Sequence, residues 1–184
     1  PHVSTAASVE HIKEMKSSYD KISAEVTPHH LFFNDEALLN YNTNLKVAPP
    51  TRNNLSRKAL IKGIKQGVID CIATDHAPHS LHEKETTFDC ASFGMIGLES
   101  CFGIVKRLLV NEEGLSLVNL IKLLTTAPRK IMGFNSDLFA VGAEAELVLI
   151  NPVEKWTFKE SNVFSKSINS PFYEKELIGK VRYT

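Results

Sequence analysis

Val68-Ile69-Asp70-Cys71-Ile72-Ala73-Thr74-Asp75-His76-Ala77-Pro78-His79 is the stretch that decides the fold. Val68 to Ala73 is a short apolar run, bounded by Gly67 before it and Thr74-Asp75 after it. Such a run predicts a parallel strand buried on both faces. The strand leads straight into an aspartate, two histidines three apart, and a long segment from His76 to Phe93 without apolar period. Loops of that length inside compact domains are usually functional.

Moving upstream, Ser56 to Gln66 predicts a helix with Leu60, Ile61 and Ile64 on one face and Gly67 as its stop. Ala48-Pro49-Pro50 excludes helix, and Asn34 caps a short helix over Asp35 to Leu39. Ile22 to Val26 reads as a strand ended by Thr27-Pro28, and Ser4 or Thr5 caps a helix running to about Lys16. Downstream, Leu98 to Val110, Leu117 to Leu124 and Pro128 to Met132 predict helices. The rhythm then turns to β, with strands expected at Leu147 to Ile150, Trp156 to Phe158 and Glu176 to Tyr183. Helices alternating with buried strands imply a parallel sheet with right-handed crossovers. The expected organisation is thus an α/β unit over residues 1–132, followed by a β segment over 133–184.

The chain of 184 residues carries 21 Lys+Arg against 21 Asp+Glu and has no run of like charge, so its charge gives no footprint for nucleic acid. No stretch reaches the roughly 18–20 apolar residues of a membrane helix. No signal peptide is visible in the first residues. The three cysteines lack CxxC spacing, which argues against a disulfide framework and for a reducing cytoplasm.

Asp75 is the leading candidate for chemistry. An aspartate at the C-terminal end of a barrel strand can bind a metal and also shuttle a proton to or from water beside it. As a plain structural residue it would cap the following turn. His2, just ahead of a helix, is a second candidate ligand, although a lone histidine there is usually an exposed loop residue. His29-His30 leaves a strand, where neighbouring side chains point to opposite sides, so at most one could face a metal; hydrogen bonds that order the strand end suit the pair better. Glu25, if turned inward, needs a partner. A hydrolytic zinc centre uses about three protein ligands plus water, and the residues themselves supply two.

The blocks His2-Val3-Ser4-Thr5, Glu25-Val26-Thr27-Pro28-His29-His30-Leu31, Lys46-Val47-Ala48-Pro49-Pro50-Thr51-Arg52, Asp70 to His79 and Phe93-Gly94-Met95-Ile96-Gly97-Leu98-Glu99 together resemble the bacterial-type dihydroorotases, across essentially the whole chain. Hydantoinases and allantoinases share several blocks; the Ala73 to His79 block with Phe93-Gly94 after its loop is the most specific. The resemblance implies a partial (β/α)8 barrel over 1–132 and part of a small β-domain over 133–184. It implies zinc, one ion or two, held by His2 and Asp75. It makes Asp75 the proton-transfer residue, places His79 at the substrate carboxylate, and places Phe93 and Gly94 at the pyrimidine ring. His29 and His30 match no ligand.

Two departures matter. Ala48 stands where the family has a substrate-contacting Asn. The family's His-x-His pair, bridging ligand and fifth-strand histidine lie before the region covered, and a full barrel takes about 250 residues. The expectation is therefore an incomplete fragment, inactive alone. The implied reaction is the reversible cyclisation of N-carbamoyl-L-aspartate to L-dihydroorotate in pyrimidine synthesis. Homo-oligomers or association with aspartate transcarbamoylase accompany it. The rivals are another cyclic amidase (a hydantoinase or dihydropyrimidinase) and a non-catalytic scaffold for aspartate transcarbamoylase.

Overall fold

The computed structural model describes residues 1–135 and 139–184. Helix α1 (Ala6–Ser18) starts at Thr5, whose hydroxyl accepts from the Ser8 N–H. Strand β1 (Glu25–Val26) lies parallel to β2 (Cys71–Ile72), with Glu25 opposite Cys71 and Val26 opposite Ile72. Between them come α2 (Pro28–Phe32) and α3 (Asn54–Lys65). Asn53 caps α3, and Gly67 takes the left-handed backbone, φ 71°, that ends it. The Val3 N–H donates to the Glu25 carbonyl, which sets the chain start beside β1.

The strand expected over Val68 to Ala73 forms only as Cys71–Ile72, with the N–H groups of Asp70 and Ala73 donating to the Ala24 and Val26 carbonyls at its two ends. The N–H groups of Val68 and Ile69 both turn back to the Gly63 carbonyl, so the helix end consumes the first half of the run. Asp70 is tolerated there because Lys16 reaches its carboxylate at 2.6 Å and the Ala24 N–H donates to it at 2.7 Å. The loop after β2 holds a one-turn helix, α4 (Leu81–Lys84), where no periodicity announced one. The expected helix over Leu98 to Val110 is α5 (Leu98–Val105) continuing as a wider π-helical stretch over Lys106–Glu112. Helices α6 (Leu117–Leu124) and α7 (Thr126–Ile131) follow as predicted.

Strands β3 (Leu149–Thr157) and β4 (Glu176–Tyr183) pair antiparallel. The two strands expected at Leu147 to Ile150 and Trp156 to Phe158 are corrected to one. A register shift between Asn151 and Lys155 carries Pro152, which has no N–H to give a ladder, so the strand bulges and continues. One core packs α1 and α3 over β1 and β2, with Leu109 and Leu120 closing it. A second joins Leu45, Val47, Met95 and Ile104 to Phe158, Phe172 and Leu177. The C-terminal segment is therefore packed directly against the loop that follows β2. Among the described residues, no helix is long and apolar enough to cross a membrane.

Candidate functional site

His2 and Asp75 meet beyond the edge of the parallel pair. His2 Nε2 stands 3.3 Å from Asp75 Oδ1, although 73 positions separate them in the chain. Both residues are non-glycine with positive φ, 54° and 50°. Backbones of this kind cost free energy and cluster where a side chain must be aimed. Glu25, on β1, answers the need for a partner: its Oε1 lies 2.8 Å from His2 Nδ1 and accepts from the His2 backbone N–H. The Nδ1 contact is a close approach of charge rather than an aligned hydrogen bond, and Nδ1 remains unpaired in that sense.

Among the described residues, no three His, Cys, Asp or Glu side chains are grouped to hold a metal ion. The pair nevertheless suits one. Ligand bonds of about 2.0–2.1 Å in tetrahedral geometry put two ligand atoms about 3.3 Å apart. A carboxylate behind the far nitrogen of a ligating histidine is the usual second partner at such a centre.

The Thr27-Pro28 pair reads differently in the fold than in the sequence. Thr27 caps α2, Pro28 takes its first position, and both histidines lie in the helix rather than on a strand exit. The expectation that they face opposite ways is corrected accordingly. His30 does order the segment, bonding Thr27 Oγ1 at 2.7 Å and the Pro49 carbonyl at 2.8 Å. His29 is 2% exposed, and its unpaired Nε2 lies 4.0 Å from Asp75 Oδ2. Burial, reinforced by His30 and His2, holds the His29 imidazole well below its ordinary pKa, so it stays neutral beside that carboxylate. Burial likewise pushes the Cys71 thiol up to about 11 and the Cys101 thiol up to about 12, which removes both as nucleophiles.

His79, Phe93 and Gly94 form a second group. His79 Nε2 donates to the Phe93 carbonyl at 2.8 Å, and Nδ1 lies 3.4 Å from Glu83 Oε1. Glu83 also accepts from the Ser80 N–H and hydroxyl; these bonds, Ser80 first and His79 after, hold its carboxyl down at about 2. Gly94 is required: its φ is 131°, and a Cβ there would sit 2.5 Å from Ala77 Cβ. The Gly94 carbonyl accepts from Lys84 Nζ at 3.0 Å and from Asn169 Nδ2 at 3.3 Å. Lys46 lies nearby, its Nζ 4.6 Å from the Phe93 ring centre. Ala48 is exposed.

Sequence reasoning passed over Glu99, Lys84 and Asn169, and gave His29 an ordering role rather than a place beside Asp75. Glu99 accepts from Ser165 Oγ at 2.5 Å, and Ser165 Oγ lies 3.5 Å from His76 Nε2. Thr27-Pro28, read as a helix start, was the signal that could have placed His29 in a helix.

A family model described as the amidohydrolase family matches residues 2–174. The chain is 43% identical over 183 residues to a dihydroorotase of Caldanaerobacter subterraneus subsp. tengcongensis, covering 100% of this chain and 42% of that protein. It is 41% identical over 184 residues to a dihydroorotase of Aquifex aeolicus, covering 100% of this chain and 43% of that protein. The chain thus spans about two fifths of the length of these relatives. Among solved structures, an L-hydantoinase (dihydropyrimidinase) from Arthrobacter aurescens superposes with TM-score 0.85 at 25% identity, covering 99% of this chain and 42% of that one. A D-hydantoinase (dihydropyrimidinase) from Thermus sp. gives TM-score 0.85 at 21% identity, covering 98% and 41%, a likeness of fold alone.

Proposed function

The chain belongs to the amidohydrolase family, with an α/β fold that is part of that family's (β/α)8 barrel, and from this we propose that it is the C-terminal portion of a dihydroorotase. The observation that carries the proposal is the approach of His2 Nε2 to Asp75 Oδ1 at 3.3 Å, with Glu25 behind the histidine. The dihydroorotase relatives, at 41–43% identity, favour this substrate over that of the hydantoinases. Residues 1–132 make the barrel portion and 133–184 part of the small β-domain.

In this reading His2 and Asp75 hold zinc, one ion or two, with further ligands from the rest of the enzyme. Zinc, when bound, polarises the ring carbonyl and lowers the pKa of the attacking water. Asp75 accepts the water proton and passes it to the ring nitrogen as the amide opens, the reverse transfer serving cyclisation of N-carbamoyl-L-aspartate. His79 holds the substrate carboxylate, and Phe93 and Gly94 lie against the pyrimidine ring, so that the reacting carbonyl is fixed in one orientation. His29 presents a neutral buried nitrogen beside the working carboxylate. A place in pyrimidine synthesis in the cytoplasm goes with this substrate.

The test uses the full-length enzyme. Bound zinc together with hydrolysis of L-dihydroorotate in clear preference to dihydrouracil, which lacks the carboxylate, is the expected result. Preference for dihydrouracil would make it a hydantoinase-type enzyme, and absence of turnover with either would leave a scaffold.

A further inference from the structure

Asn169 is 3% exposed and belongs to the segment between β3 and β4, about 90 residues after the loop it touches. Its side chain divides between the two halves of the second group. Asn169 Oδ1 accepts from the His79 N–H at 3.1 Å. Asn169 Nδ2 donates to the Ala77 carbonyl at 3.0 Å and to the Gly94 carbonyl at 3.3 Å. Its own carbonyl accepts from the Ile96 N–H at 3.0 Å. One buried amide therefore closes the loop that leaves Asp75 onto the stretch that returns at Phe93 and Gly94.

From this we infer that Asn169 is a positioning residue that sets the substrate subsite, fixing His79 against Phe93 and Gly94. The inference rests on the dihydroorotase reading for the identity of the ligand. Asn169 touches no reacting atom; it acts through the backbone of the residues that do. An amide is the one side chain of this size that supplies an acceptor at one end and two donor hydrogens at the other, and all are used. The segment is also fastened independently of that side chain. Ser165 donates to Glu99 through both its hydroxyl and its N–H, and Phe172 is anchored in the core. Altering the amide thus changes the subsite without releasing the segment.

Asn169→Asp in the full-length enzyme is the direct test. The carboxylate keeps the acceptor for His79 but turns a second oxygen against two carbonyls that need a donor. KM for dihydroorotate is expected to rise about 10- to 100-fold, as for inverted buried hydrogen bonds. Turnover at saturating substrate should stay within about threefold, the split that marks binding lost equally from ground state and transition state, and bound zinc should be unchanged. The backbone amides of Ala77, His79 and residues 93–95 should exchange faster while those of α3 do not. An unchanged KM with unchanged exchange overturns the inference, as does an equal fall of kcat with no change in KM, the sign of a merely less folded enzyme. Should the Asp variant fail to fold, Asn169→Ala is judged by the same two outcomes. A wild-type enzyme that ignores dihydroorotate sinks the substrate reading instead, and the exchange of Ala77, His79 and residues 93–95 then decides the role of Asn169.

Discussion

His2 Nε2 lies 3.3 Å from Asp75 Oδ1, and each residue holds a left-handed backbone to bring them there. Asparagine tolerates that backbone as well as aspartate does. Asp75→Asn therefore leaves the φ of 50° undisturbed and removes the carboxylate charge, and with it the ability to take a proton. In the full-length enzyme, kcat for dihydroorotate should fall about 10²- to 10⁴-fold, the usual loss of a general acid–base group, with KM little changed. Turnover near the wild-type rate would show that another group moves the proton.

Glu25 carries the second prediction. Its carboxylate sits 2.8 Å from the His2 nitrogen that faces away from Asp75. Glu25→Gln keeps the shape and removes the charge. Outer partners of this type are worth about 10- to 100-fold in metal affinity, so zinc retention measured by chelator competition should weaken by that factor. Equal retention in wild type and variant would reduce Glu25 to an anchor for the chain start.

The elements were more legible than the site. Thr5 and Gly67 announced helix ends by chemistry local to each position, and α1, α3 and α6 form close to where periodicity puts them. The strands were legible as apolar runs but not in extent, because backbone bonds that hydrophobicity does not encode set their limits: Gly63 captures the N–H groups of Val68 and Ile69, and Pro152 is absorbed in a bulge. The site divides in the same way. Asp75, His79 and Gly94 sit in or near one dense block of sequence. Asn169 and Glu99 work only through contacts 65 or more positions away, which no local pattern encodes.

Gly94 bears directly on the proposed ring contact. A methyl group there would meet Ala77 Cβ at 2.5 Å and the Ala77 carbonyl oxygen at 3.3 Å. Gly94→Ala must push the two sides of the subsite apart. Calorimetry should show dihydroorotate binding reduced at least about 10-fold, in line with the 1–3 kcal/mol of an overpacked site. Wild-type affinity would mean that the ring is held elsewhere.

Lys84 gives a pH dependence whose sign is fixed. Burial, with the charge of Lys46 added, lowers its pKa from 10.5 to about 8, although it donates to the Ser92 and Gly94 carbonyls. Between about pH 8 and 10.5 the unfolded chain thus binds more protons at this position than the folded one. Stability from this group therefore rises with pH across that window and is flat below it. The melting temperature of wild type minus that of Lys84→Met should grow from pH 8 towards pH 10.5 in the full-length enzyme. A difference that shrinks over that range would contradict the burial argument.

The last prediction concerns the 184-residue chain by itself. Two candidate ligands, His2 and Asp75, face one another, and among the described residues no group of three metal-binding side chains forms. Water activation by zinc uses about three protein ligands. The parallel pair β1 and β2 also has the sequence of strands covered on both faces, an arrangement that an α/β barrel completes with strands from its remainder. The chain alone should therefore bind zinc weakly and show no hydrolysis of dihydroorotate with zinc added. On the dihydroorotase reading, mixing it with the remaining part of such an enzyme should restore both, since that part would bring the further ligands and strands together. Turnover by the chain alone at an ordinary enzymatic rate, about 1–10³ per second, would mean that other residues of this chain build the site.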